Sequence, residues 1–286
     1  MEFESSRLDK YIRRVYGKLI PQALIEKALR NKDILVNGQR AKSSDKVSKE
    51  DDVFVHSNVC KQFANVYCCT ENVAQQKDYS KYINEFKKLI VYEDEDLIIV
   101  NKPSGLAVQL GTKMNMAIDV MAKAYNREAR LVHRIDKETS GLTILAKNIE
   151  TSRYMLHVFQ NKLIEKKYLA LVSEELPFEK GTINKPLFRD KEKVVVDFEK
   201  GQKAITEFHL LKHIKKGMFL VELSPFTGRT HQIRVHLASI GCPIIGDKKY
   251  GGKDFKRLCL HASSIKFKKQ SGKVIQAQAK IPELFS

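Results

Sequence analysis

Within LVHRIDKETSGLTILAK, residues 131–147, the carboxylate of Asp136 lies among His133, Arg134 and Lys137, and the small residues Thr139, Ser140 and Gly141 follow at once. Nearby positive charge stabilises an ionised carboxylate, so an acid held on such a turn suits a nucleophile or the partner of a large anionic ligand. On the charges alone, a surface-loop ion pair explains the same residues. Two elements must position the acid. Leu131 and Val132 before it, and Leu142 to Ala146 after it, are apolar runs that read as strands entering and leaving a turn.

Around that turn, the apolar patterning predicts further strands in LIVYEDEDLIIVNKP, KKYLALV, AITEFHLL and MFLVELSPF, with helices near 115–126, 150–161 and 230–240. No GxGxxG follows a strand and no Walker loop is present, so dinucleotide and ATP chemistry have no support. An α+β domain with a large mixed sheet is expected over residues 89–286. Residues 58–88 lack a sustained period and read as a linker, in which the adjacent Cys68 and Cys69 are structurally incidental.

Residues 1–57 form a separate basic unit. Leu8, Ile12, Val15 and Leu19 recur at helical spacing. Pro21 stands where a second helix starts, with Leu24, Ile25, Ala28 and Leu29 as its apolar face, and Asn37-Gly38 signals a hairpin. Between Arg7 and Lys49 there are twelve Lys and Arg against four Asp and Glu, a net of +8. The whole chain of 286 residues carries +17, with a pI near 9.5, as expected of a protein that meets phosphates. No stretch approaches a membrane-spanning length, the N-terminus lacks the apolar core of a signal peptide, and five cysteines without CxxC spacing fit free thiols in a reducing cytoplasm.

The order and spacing of RLDKYI, IEKALRNKDILVNGQ and DDVFV resemble the S4 RNA-binding domain, a small α/β module. That resemblance implies docking on structured RNA, with Arg7, Lys10, Arg13, Arg14, Lys27, Arg30, Lys32 and Arg40 as candidate RNA contacts. The rest resembles an RluA-type pseudouridine synthase: HRIDKETSGLTILAK, EKKYLALV, SPFTGRTHQIRVHLA, PIIGDKKYGG and RLCLHASSIKF follow in the family's order, after VYEDEDLIIVNKPSGLAV. The fold this implies is a large mixed, mainly antiparallel sheet flanked by helices. Ile135 in place of the usual Leu, Thr143 within an apolar strand, and the absence of a His-Pro pair after KFKK are its departures from the pattern.

The resemblance also implies roles. Asp136 matches the nucleophile of an enzyme that cleaves the bond from uracil N1 to ribose, turns the uracil, and rejoins it through C5, with no cofactor and no metal. A glycoside hydrolase would instead need two carboxylates and an activated water. Arg229, in GRTHQIR, matches an arginine that pairs with the nucleophile; by itself it also reads as a phosphate contact or surface charge. Tyr168 matches an active-site tyrosine whose ring could stack on a flipped uracil and whose hydroxyl could assist loss of the C5 proton; on pattern alone it reads as half-buried core. Leu260 matches an apolar neighbour of the target base, Arg134 a residue linked to base flipping, and His133 a loop-shaping residue beside the substrate. His231, His236 and His261 read as RNA contacts or structural histidines, since the HxE and PCxxC pattern of a zinc deaminase is missing.

The wording of the S4 segment is most similar to RluC-type enzymes acting on 23S ribosomal RNA. RluD-type enzymes, and a non-catalytic RNA-binding or ribosome-assembly factor, are the alternatives. A cytoplasmic monomer is the default expectation.

Overall fold

The computed structural model describes residues 5–17, 20–48, 50–60, 62–63, 80–110, 116–215 and 217–285. The chain divides into two compact units, Met1–Tyr79 and Ser80–Ser286.

In the first unit, β1 (Ser6–Arg7) leads into α1 (Leu8–Tyr16), and α2 (Gln22–Arg30) follows Pro21. Next come β2 (Ile34–Val36), β3 (Gln39–Arg40), β4 (Lys46–Val47) and β5 (Val53–Val55), with β3, β2 and β5 forming an antiparallel sheet and β1 pairing with β4. Asn37 and Gly38 both take positive φ, 51° and 73°, which gives the β2–β3 hairpin a turn that matches strand twist. Leu8, Ile12, Ile25, Ala28, Leu29 and Ile34 make the core. Val15 does not join it: the residue is 53% exposed, and Ile20 supplies the next core position. Leu19 lies outside the described residues.

The expected linker contributes to both units. Val59 and Phe63 are buried in the first unit's core, and α3 (Ser80–Leu89) opens the second. Their apolar side chains are spaced too sparsely to show a period, and tertiary burial recruits them. Cys68 and Cys69 fall outside the described residues.

The second unit is built on β6 (Ile90–Glu93), β7 (Leu97–Lys102), β8 (Arg130–Leu131), β9 (Ser140–Ala146), β10 (Ile164–Val172), β11 (Lys180–Asn184), β12 (Leu187–Asp190), β13 (Lys193–Val196), β14 (Ile205–Lys215), β15 (Met218–Pro225), β16 (Leu260–Lys268) and β17 (Val274–Gln278). The main sheet runs β11-β14-β15-β10-β16-β9-β7-β6, with β17 added to β16 and β8 to β9, while β12 and β13 form a separate hairpin. Every pairing in the main sheet is antiparallel except that of β9 with β16, which lasts two residue pairs, Ser140 with His261 and Gly141 with Ala262.

The predicted helices appear as α4 (Ile118–Tyr125), α5 (Ile149–Gln160) and α6 (Gln232–Ser239). Strand β9 is buried along its length because helices cover both faces. Ile144 and Ala146 join the cluster containing Met155 and Val158 of α5, and Leu145 joins that containing Ile118 and Met121 of α4. Two-sided burial explains why LTILA does not alternate apolar with exposed polar residues; Thr143, its one polar member, is buried with the rest.

Candidate active site

Asp136 lies in the loop between β8 and β9, where β9 and β16 make their brief parallel contact. That contact requires Gly141: its φ is +110°, and a Cβ there would sit 2.2 Å from the Ala262 carbonyl oxygen. The glycine lets two backbones touch at the root of the loop.

Two anchors fix the loop. On its entering side, His133 Nε2 accepts the Ile144 amide at 2.9 Å, and its ring stacks on Phe159 at 4.6 Å. Burial pushes this imidazole down to about 3, with Lys166 adding to the effect, so the ring stays a neutral acceptor. His133 was expected beside the substrate, but both its ring face and Nε2 are committed to the fold. On the leaving side, the segment NKPSG clasps the loop from below. Lys102, fully buried, donates from Nζ to the carbonyls of Lys137 (2.9 Å), Leu106 (2.7 Å) and Pro103 (3.0 Å). Ser104 Oγ donates to Glu138 O, and the Gly105 amide to Lys137 O. Desolvation lowers the Lys102 ammonium to about 8, against the pull of Glu138 and Asp136.

The arginine that meets Asp136 is Arg234. Its Nη1 lies 3.3 Å from Asp136 Oδ2, while Nε and Nη2 grip both oxygens of Asp247 at 2.8 Å. Burial works against the Arg234 charge, and Asp247 and then Asp136 more than offset it, so its pKa is raised. Asp247 is 1% exposed and also accepts the amides of Lys249 and Tyr250, which makes the pair a fixed two-pronged bracket.

Arg229, expected in this role, is exposed; its Nε donates to Lys203 O at 3.4 Å. The sequence pattern started the helix at Thr230, but α6 starts at Gln232 after a left-handed residue at His231. That reversal separates Arg229 from the helix face and brings Arg234, one turn on, to the carboxylate. Gln232 holds the entry in place, accepting from Thr227 Oγ1 and the Arg229 amide and donating to Ile205 O and Thr206 Oγ1.

Tyr168 stands on β10 between Leu223 of β15 and Ala262 of β16, at a bulge against β16. Burial, and then the charge of Asp136, raise its phenol well above the ordinary value. Such a hydroxyl is a stacking platform and hydrogen-bond donor rather than a resting base. Leu260 is 3% exposed and belongs to the same apolar cluster that Tyr168 packs against. Arg134 is exposed, with Nη1 3.5 Å from Gln109 Oε1.

Of the three remaining histidines, His236 is tied to Thr206 Oγ1 and Lys185 O, and His261 to Ser140 Oγ, which also accepts Arg257 Nη1. Both are fully buried structural groups. His231 alone of the three approaches the acid, with Nε2 3.8 Å from Asp136 Oδ2. Among the described residues, no group of three His, Cys, Asp or Glu converges to hold a metal ion. Arg234, Asp247 and Lys102 carry no site signal of their own in the sequence, and His231 reads there as an RNA contact or structural histidine, although all four lie inside the family-like motifs. A buried lysine or arginine looks like any other cation until its surroundings are known.

In the first unit, Asp9 receives Arg7 at 3.2 Å and Arg13 at 3.7 Å, and Arg13 also donates to Ile20 O and Gln22 Oε1. These two arginines brace the unit's own structure. Lys10, Arg14, Lys27, Arg30, Lys32 and Arg40 have exposed positions.

The arrangement therefore provides one carboxylate bracketed by an arginine, a protonated tyrosine within its field, and an apolar wall. The family model for RNA pseudouridylate synthase matches residues 96–239. The chain is 39% identical to ribosomal large subunit pseudouridine synthase C of Rickettsia bellii over 99% of its own length and 96% of the relative's. It is 34% identical to the protein of that name in Vibrio cholerae, over 93% and 86%. Among solved structures, human RNA pseudouridylate synthase domain containing 4 superposes with a TM-score of 0.61 at 27% identity, covering 72% of this chain and 95% of the human one.

Proposed function

This chain belongs to the RNA pseudouridylate synthase family, and on that footing we propose that it isomerises uridines of 23S, large-subunit ribosomal RNA with Asp136 as nucleophile. The observation that carries the assignment is the bracket around Asp136: Arg234 holds one carboxylate oxygen at 3.3 Å while Asp247 fixes the arginine from behind. A carboxylate kept in one plane can attack the sugar or base of a flipped uridine without reorganising first. Tyr168 and Leu260 supply the platform on which the detached uracil turns, and exclusion of water there favours recapture over loss. The exposed Arg134 occupies the space left in the RNA or meets a flanking phosphate. No cofactor enters the balance: the N1–C1′ bond broken is replaced by C5–C1′, and the proton lost from C5 is matched by the one gained at N1.

The first unit acts as an S4-type RNA-docking module, through phosphate contacts from Lys10, Arg14, Lys27, Arg30, Lys32 and Arg40. The compartment that goes with this proposal is the cytoplasm, where a ribosomal RNA substrate would be met. The RluC-type target set is favoured by the names of the relatives, over near-complete coverage of both chains.

The test is incubation with ribosomal RNA followed by chemical mapping of pseudouridine, with Asp136→Asn alongside. The wild-type chain should modify large-subunit uridines, and the variant should form none while binding RNA with unchanged affinity. Normal turnover by Asp136→Asn would overturn the nucleophile assignment, and binding without isomerisation by the wild-type chain would favour a non-catalytic assembly factor.

A further inference from the structure

His231 occupies the residue before α6 and gives the helix no side-chain cap. Its backbone is left-handed, at φ 52° and ψ 17°, a conformation disfavoured for a residue with a Cβ. Strain of this kind persists where the surroundings over-determine it, so the side chain should have a reason to be where it is.

Its two ring nitrogens face different partners. Nδ1 lies 2.7 Å from the hydroxyl of Tyr250, and Nε2 lies 3.8 Å from Asp136 Oδ2. Tyr250 decides which nitrogen carries the proton. Its oxygen accepts the Val194 amide at 3.1 Å, while its single hydrogen needs an acceptor of its own, and His231 Nδ1, 2.7 Å away, is the one in reach. A neutral imidazole that accepts at Nδ1 carries its hydrogen at Nε2.

We infer that His231 is a positioning residue for the nucleophile, locked by Tyr250 in the Nε2–H form so that this N–H points at the Asp136 oxygen that Arg234 also holds. The inference rests on the reading of Asp136 as nucleophile. The Nε2–Oδ2 separation of 3.8 Å is about 0.8 Å beyond a hydrogen bond, within reach of a small side-chain movement. The surrounding charges agree with a neutral ring. Burial lowers the His231 pKa first; Asp136 raises it, Arg234 and Lys249 lower it, and Asp247 raises it. Tyr250 itself is fixed, since Arg234 lies over its ring at 5.1 Å and its amide donates to Asp247. Asp136 is thus steered from two directions, by a charged bracket and by a neutral donor whose tautomer is set elsewhere.

The test uses the full chain with a ribosomal RNA substrate. His231→Asn keeps a residue type that tolerates the left-handed backbone but is too short to reach Asp136, whereas His231→Gln restores a donor near the Nε2 position. His231→Asn should lower kcat about tenfold at unchanged KM, and His231→Gln should stay within about threefold of wild type. Nitrogen-15 spectra of the wild-type histidines should show His231 protonated at Nε2, and Tyr250→Phe should mix the two tautomers. Wild-type kcat in His231→Asn, equal losses in the Asn and Gln variants, or a proton on Nδ1 would each overturn the inference. Asp136→Asn run in parallel separates the outcomes: turnover by that variant refutes the nucleophile reading, while an inactive Asp136→Asn beside a normal His231→Asn refutes only the role of His231.

Discussion

In the first unit Lys10, Lys27, Arg30, Lys32 and Arg40 hold exposed positions, whereas in the second Lys102 and Arg234 are buried and each holds several partners at once. The ion pairs differ in the same way. Arg7 on Asp9 leaves 51% of the arginine side chain in solvent, while Arg234 on Asp247 leaves 9% and 0% of the two side chains. Exposed cations attract an anionic surface additively and at a distance, and salt screens them. Buried ones cost desolvation and are tolerated where geometry satisfies them, so they act as fixtures rather than attractors. On the proposed RNA-docking role of the first unit, the same residue types would serve affinity there and aim in the second.

The contrast breaks first at Asp247. Asp247→Asn should remove about 3 kcal/mol of stability or more, because Arg234 keeps its charge and loses its principal anion. Arg7→Gln should cost about 1 kcal/mol or less, because half of the Arg7 side chain stays in solvent and Arg13 remains on the Asp9 carboxylate. Denaturant melts of the two variants compare them directly; equal losses would mean that burial does not separate these pairs.

A smaller effect concerns His133, whose pKa falls from 6.5 to about 3 on folding. The folded chain keeps the ring neutral while the unfolded chain takes up a proton, so acid favours unfolding. The contribution is complete above about pH 6.5 and is lost progressively as pH falls toward about 3. Between pH 7.5 and 5, the thermal midpoint of wild type should therefore drop more steeply than that of His133→Gln. Parallel curves would show that His133 is not the group responsible. His261, lowered to about 4, adds a slope of the same sign in both proteins.

The mildest change is the triple substitution Lys27→Gln, Arg30→Gln, Lys32→Gln. Folding should be unaffected, and the slope of log affinity for ribosomal RNA against log salt should flatten by about 2, from roughly 0.7–0.9 for each lost phosphate contact. An unchanged slope would remove these cations from the RNA interface.

Much of the architecture was legible because it rests on local chemistry. Asn37-Gly38 turns the hairpin, Pro21 precedes α2, and LTILA is a strand buried on both faces. Strands β11 to β13, β16 and β17 lie outside the expected strands: β11 carries a single large apolar residue, and LF of β12 and VVV of β13 are runs too short to show a period. The recruitment of Val59 and Phe63 into the first core was likewise not expected. At the site, Asp136 and Tyr168 were identifiable through their motifs. His133 anchors the loop through Ile144 and Phe159, in keeping with a loop-shaping residue, whereas Arg229 is left outside by the turn at His231 and Arg234 meets Asp136 in its place.

The sequence by itself determined the family, the nucleophile candidate and the basic character of the N-terminal unit, because motif order and charge survive without coordinates. Tertiary structure alone decided which arginine brackets Asp136, which lysine clasps its loop and which histidine faces it. Those choices depend on a left-handed residue before α6 and on the two-residue parallel seam of β9 with β16. The seam joins segments more than a hundred residues apart, and His231 meets Tyr250 and Asp136 from two other elements; periodicity along a chain carries no record of such contacts.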